Sequence, residues 1–211
     1  NTDKDATTGI SSMKMGTSDV TLYAIYRKDI TLTFVDYKGT EKTTRTINET
    51  VYNKNTSVTV TAPTINSYTG WTARYWATGT GADAGQTVAG GGTISNVTGN
   101  ATYYARYYQN IKVDFNLNGG PGVAPQEISG NRETNSYNVN VVVNPEITMP
   151  ATNSTKTGYV FGGWNTAKDG TGTNYTVGTK YTSFTESTTL YAKWTANEYT
   201  VKYDGNGATG G

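Results

Sequence analysis

Thr21-Leu-Tyr-Ala-Ile-Tyr26, Thr102-Tyr-Tyr-Ala-Arg-Tyr107 and Thr189-Leu-Tyr-Ala-Lys-Trp194 are three copies of one pattern, with starts 81 and 87 residues apart. Alternation of period two puts Leu22, Ala24 and Tyr26 on one face of a strand. Tyr103, Ala105 and Tyr107 match them, as do Leu190, Ala192 and Trp194. This face stays apolar in every copy, so it is the expected core face. Ile25, Arg106 and Lys193 share a position on the opposite face, where a charge needs nearby solvent, and Tyr23, Tyr104 and Tyr191 beside it are expected to cover a secondary edge of the core.

After each copy comes a short connector and a second alternating stretch: Ile30, Leu32 and Phe34; Ile111, Val113 and Phe115; Tyr199, Val201 and Tyr203. A third landmark precedes the pattern, Tyr68-Thr-Gly-Trp71 in one copy and Tyr159-Val-Phe-Gly-Gly-Trp164 in the next. Glycine before tryptophan signals a bulge or close backbone approach at a buried ring. Trp71, Trp164, Tyr26, Tyr107 and Trp194 are therefore the expected core anchors. Asn165-Thr-Ala-Lys-Asp169-Gly also matches the opening Asn1-Thr-Asp-Lys-Asp5-Ala. The organisation this predicts is the C-terminal half of a repeat over 1–28, a divergent full repeat over 29–108, a full repeat over 110–195, and the first strand and turn of another over 198–211. Connectors of two to four residues are too short to be free linkers, so successive repeats are expected to form an elongated rod.

Within a repeat, Asp36-Tyr-Lys-Gly39, Asn116-Leu-Asn-Gly-Gly120 and Asp204-Gly-Asn-Gly207 supply the positive φ of tight turns. A hairpin partner is expected over 42–47 and over 126–129. Further strands are expected over 56–61 and 137–143, ended by Pro63 and by Pro145 and Pro150. Only residues 62–68 and 150–158 suit a helical turn or short helix, so the fold class is β-dominated with little helix.

Composition narrows the chemistry. In 211 residues, 35% are hydrophobic, 16% charged and 12% aromatic, with 17 Tyr, 4 Trp and only 4 Phe. Such a chain is too aromatic for disorder, and it builds its core from rings with polar rims. The absence of His and Cys excludes Ser-His-Asp and Cys-His catalysis, imidazole or thiolate metal sites, and disulfides. Lys and Arg number 17 against 16 Asp and Glu, which leaves no basic stripe for nucleic acid, and Val141 to Val143 is the longest aliphatic run, which excludes membrane insertion by a helix.

The set Thr157-Gly-Tyr-Val-Phe-Gly-Gly-Trp164-Asn-Thr, Thr189-Leu-Tyr-Ala-Lys-Trp194 and Tyr199-Thr-Val-Lys-Tyr-Asp-Gly-Asn-Gly207 resembles the Listeria-Bacteroides repeat, the internalin-type B repeat of bacterial surface proteins. The resemblance is closest over 110–211; residues 29–108 share only the Trp and Tyr-Ala-x-Tyr anchors and carry a longer glycine-rich loop. It implies an α+β, β-grasp-like module strung in tandem on secreted, wall-attached proteins. It carries no catalytic residue, and its implied partners are neighbouring repeats of the same chain. The expected function is a non-catalytic stalk or spacer of an extracellular adhesin. The alternative is a module that binds host glycan or host protein.

Candidate sites are few. Asp3-Lys-Asp5 places carboxylates at alternate positions, as a calcium loop does, but the glycine and distal Glu are misplaced and the sister loop has Ala167 where Asp3 stands. No metal, cofactor or catalytic site is expected. A Lys-to-Asn isopeptide bond beside a buried acid suits a cysteine-free surface chain, although no Lys is singled out. Tyr75, Trp76, Tyr108 and Tyr181 lie outside the repeated anchors and are the candidate sugar-stacking residues.

Overall fold

Alternating, β-branched and aromatic-rich stretches pair into strands wherever a neighbour accepts their backbone groups. The computed structural model describes residues 2, 6, 8–14, 16–52, 57–207, 209 and 210. Asp3, Asp5, Asn55 and Thr56 lie outside the described residues. The chain forms two compact units: Asn1–Gln109 with Arg132–Val143, and Asn110–Asn131 with Asn144–Gly211.

Unit 1 holds β1 (Arg27–Lys38), β2 (Glu41–Tyr52), β3 (Val58–Thr61), β4 (Thr72–Ala77), β5 (Thr87–Val88), β6 (Thr93–Val97) and residues 101–109 of β7 (Ala101–Asn116). β1 and β2 form an antiparallel hairpin. β1 also lies parallel to β7, with Phe34 opposite Tyr103. β7 is antiparallel to β4, which pairs with β5, and β3 pairs with β6 in a separate two-stranded sheet. Ile30, Leu32, Phe34, Trp76, Tyr103, Ala105 and Tyr107 are buried in one core. Phe34 stacks on Tyr103 and meets Trp76 edge-on, each at 5.2 Å.

Unit 2 contains residues 110–116 of β7, then β8 (Ile128–Asn135) as far as residue 131, β9 (Ile147–Thr148), β10 (Tyr159–Asn165), β11 (Asn174–Tyr175), β12 (Lys180–Tyr181) and β13 (Thr188–Ala196). Its pairings recur in the same order. β8 pairs with β7, and β7 is parallel to β13, with Phe115 opposite Leu190. β13 is antiparallel to β10, β10 pairs with β11, and β9 with β12. Ile111, Val113, Phe115, Trp164, Leu190 and Ala192 are buried in a second core.

Four sequence expectations are corrected. No helix occurs among the described residues. Over 62–66 the backbone groups are taken by partners outside the segment: Ala62 N–H donates to Gly92 O, Asn66 N–H to Asp36 Oδ2, and Thr64 O accepts from Arg45. Groups so engaged do not serve an i to i−4 ladder. Residues 137–143 form a turn and one isolated bridge, Val143 to Glu133, rather than a strand, and the strand before Pro150 is Ile147–Thr148. Tyr26 is 71% exposed and Leu22 57% exposed, and residues 21–26 belong to no strand. Tyr199, Val201 and Tyr203 are likewise exposed and outside any strand, while the turn beyond them forms with Asn206 and Gly207 at positive φ.

The alignment of the tryptophans is also corrected. Trp76 pairs with Ala105, and Trp164 with Ala192, the matching alanines of the repeated pattern. Trp76 Nε1 donates to Pro63 O at 2.7 Å, and Trp164 Nε1 to Pro150 O at 2.8 Å. Trp71 instead closes a turn through Trp71 N–H to Tyr68 O, as Tyr159 N–H does to Lys156 O, with Gly70 and Gly158 both at φ near 80°. Trp71 is thus the counterpart of Tyr159: half-buried, stacked on Tyr68 at the margin of the core. Gly163 has φ 102°, and a Cβ there would stand 2.6 Å from Tyr175 O, so only glycine fits the bulge before Trp164.

Residues Arg132–Val143 complete unit 1. Ser136 is fully buried where the parallel pairing of β1 and β7 ends at Val35 and Tyr104. Its hydroxyl donates to Val35 O and accepts from Ala105 N, and its N–H donates to Ala105 O. One serine satisfies backbone groups on both strands as they part.

Candidate functional site

The four proposed sugar-stacking residues are dispersed. Trp76 is 0% exposed and has no face to offer a ligand, because the strand alternation that turns Tyr75 outward turns Trp76 into the core. Tyr75 lies under the Arg74 guanidinium at 5.3 Å. Tyr108 is half-buried on β7 opposite Thr72. Tyr181, in unit 2, packs edge-on against Tyr175, and its hydroxyl accepts from Thr176 N, which draws its pKa below the usual tyrosine value. Tyr107 is buried, and its hydroxyl accepts from Tyr37 N at 2.9 Å. The indole of Trp194, half-buried at the matching place in unit 2, donates to Leu117 O at 2.8 Å.

The buried acid that an isopeptide bond needs is present as Asp36, fully buried on β1. Its partners are Thr43, Arg45 at 2.6 Å and Asn66, rather than a lysine. Asp36 is thus a structural hub that joins the first hairpin to the segment after Pro63.

Unit 2 carries a cleft of about 220 Å³ lined by Asn118, Lys156, Tyr159, Lys168, Asp169, Gly170, Lys193 and Trp194. One wall is the loop from Asn165 to Asn174. Asn165 is fully buried: its amide donates to Gly170 O, Gly172 O and Asn174 Oδ1, and its carbonyl accepts from Ala167 N and Gly172 N. Every polar atom of that side chain is used inside the loop, so the loop's shape is fixed. Asn118, at φ 51°, ties a second wall to it by donating to Lys168 O and Ala192 O.

Lysines dominate this cleft. Lys156 Nζ sits 4.6 Å from the Tyr159 ring centre and Lys168 Nζ 5.5 Å from that of Tyr191, a placement favoured by the ring quadrupole. Lys193 Nζ donates to Asn174 Oδ1 at 3.1 Å. Asp169 is turned toward its own loop, where the Thr171 hydroxyl and N–H hold its carboxyl below the usual range and keep it ionised. Three ammoniums against one carboxylate leave the cleft with charge +2.

Residues 112–193 match the Listeria-Bacteroides repeat domain. The matched repeat contains both walls of the cleft and all its lysines, and it ends one residue before Trp194. A 70-residue stretch of the chain is 39% identical to a protein of Evansella cellulosilytica whose name describes a Gly-rich membrane protein; it covers 33% of this chain and 8% of that relative. No solved structure matches. No helix among the described residues is long and apolar enough to cross a membrane.

The sequence reading missed the lysine cleft because Lys156, Lys168 and Lys193 are spread over 38 positions and belong to three elements. Their only local signal was the motif Asn165-Thr-Ala-Lys-Asp169-Gly, which was recognisable as a recurring loop and not as part of a site.

Proposed function

We propose that this chain is a non-catalytic structural segment of a surface-associated bacterial repeat protein, a stalk made of β-grasp-like modules in tandem that holds an adhesive region away from the cell wall. The observation that carries this reading is the recurrence, in both units, of one seven-element plan with a parallel first and last strand and an indole-to-proline clasp. A parallel pair at the centre of the sheet, flanked by the hairpin partner of the first strand, is the strand order a β-grasp module uses. The match over 112–193 and the relationship to a Gly-rich membrane protein add support for a surface-associated repeat. β7 passes from the last strand of one module into the first strand of the next without a linker, which suits a spacer.

Small-angle scattering tests the reading. A stalk gives a radius of gyration well above the roughly 17 Å of a compact chain of this length. A value near that figure rejects it. The buried Trp76 withdraws the principal support for a binding module built on Tyr75, Trp76, Tyr108 and Tyr181.

A further inference from the structure

We propose that the lysine cleft of unit 2 binds an acidic saccharide, with the sugar ring against Trp194 and Tyr159 and its acid group between the ammoniums of Lys156, Lys168 and Lys193. This goes beyond the spacer role, which needs no ligand.

The first support is charge. Elsewhere in unit 2, Lys112 pairs with Glu127 at 3.1 Å and Lys180 with Glu146 at 2.6 Å. Among the described residues, none of Lys156, Lys168 and Lys193 forms a salt bridge, although all three line one concavity. Three ammoniums set against one carboxylate, Asp169, leave a net repulsion that a bound anion relieves.

The second support is rigidity. The cleft stands on a loop whose organising side chain, Asn165, has all its hydrogen bonds made, and Asn118 fastens that loop to the turn after β7. Trp194 is fixed by its bond to Leu117 O. Little order has to be created on binding, which favours recognition.

The third support selects the ligand class. Lysines alone suit a bare phosphate as well as an acid group carried on a larger ligand. This cleft presents ammoniums beside two aromatic side chains, one of them Tyr159 at 41% exposure. An aromatic surface complements the apolar face of a sugar ring, and the lysines complement a carboxylate or sulfate carried on it.

The test is titration calorimetry of the 211-residue chain at low salt with a galacturonic-acid hexamer, a heparin hexasaccharide, neutral maltohexaose and polyphosphate. Binding of either acidic saccharide, with maltohexaose silent and polyphosphate weaker, supports the proposal; the stronger of the two acidic ligands identifies the acid group. Lys156→Ala with Lys168→Ala is expected to weaken that binding roughly tenfold, since each exposed ion pair accounts for a few-fold. Tyr159→Ala, at an exposed position, is expected to weaken saccharide binding while sparing polyphosphate, with far-UV circular dichroism confirming the fold of each variant. Failure of both acidic saccharides to bind, wild-type affinity in the double lysine variant, or polyphosphate binding as tight as the saccharide and indifferent to Tyr159→Ala overturns it.

Discussion

The indole N–H of Trp76 donates to the carbonyl of Pro63 at 2.7 Å from inside the core of unit 1. A proline cannot extend a helix and lacks an N–H, but its carbonyl is free to accept, so the clasp pins the chain after β3 against β4. Trp164 does the same with Pro150 in unit 2.

Trp76→Ala is therefore expected to destabilise unit 1 by about 3–5 kcal/mol, as buried tryptophan truncations do. Trp76→Phe, which keeps most of the ring and leaves the Pro63 carbonyl unpaired, should lose about 1–3 kcal/mol. Trp71→Ala, at the half-buried margin, should lose less than Trp76→Ala. Hydrogen exchange resolved to peptides of β1 and β7 separates the three; equal losses from Trp71→Ala and Trp76→Ala would remove the distinction drawn between them.

Ser136→Ala should cost about 1–3 kcal/mol, because it strands Val35 O and Ala105 N in a buried position at once. Faster exchange of the Ala105 amide with no change in β10–β13 is the expected signature. A chain ending at Gln109 lacks Ser136 altogether, so its unit 1 strands should unfold at lower urea than those of the full chain.

Asp36→Asn breaks a buried carboxylate from Arg45, whose side chain is 33% exposed. Loss of one partner from such a pair costs about 2–4 kcal/mol, less than a fully buried pair because water still reaches the guanidinium. The position aligned with Asp36 in unit 2 is the apolar Leu117. Asp36→Leu combined with Arg45→Leu is accordingly expected to regain most of the loss, read as a thermal midpoint above that of Asp36→Asn.

Alkaline pH should loosen unit 1 as it rises from about 10 to about 12. Burial pushes the Tyr107 hydroxyl up to about 12, against which the bond from Tyr37 N acts only partly, and burial raises Tyr103 as well. A folded state that favours the protonated phenol is most stable below the unfolded pKa near 10 and loses that contribution as pH rises through about 12. Tyr107→Phe should flatten the decline of the urea midpoint between those pH values. An unchanged slope would mean that Tyr107 does not control it.

Much of the strand plan was legible because period-two alternation and Asn-Gly chemistry are local properties. The hairpin partner expected at 42–47 is part of β2, and Asn118 and Gly119 take the positive φ their turn requires. The buried set Tyr103, Ala105, Tyr107, Leu190 and Ala192 follows the face marked by the repeated pattern. Trp76 was misread because Gly-Trp was matched to Gly-Trp. The informative signals were Val60-Thr-Ala-Pro63 beside Ile147-Thr-Met-Pro150, each followed 13 or 14 residues later by the buried tryptophan, and Thr69-Gly-Trp71 beside Thr157-Gly-Tyr159.

The sequence by itself determined that this chain is built of strands, that its core is made of rings on alternate positions, and that thiol and imidazole chemistry are absent. Those are matters of residue type and of spacing within one strand. Tertiary structure alone decided that Tyr26 lies in solvent, that Ser136 from beyond β7 seals the gap between β1 and β7, and that Lys156, Lys168 and Lys193 line one cleft. Burial and charge density depend on which segments become neighbours, and that is set by pairing across many residues rather than by any one stretch.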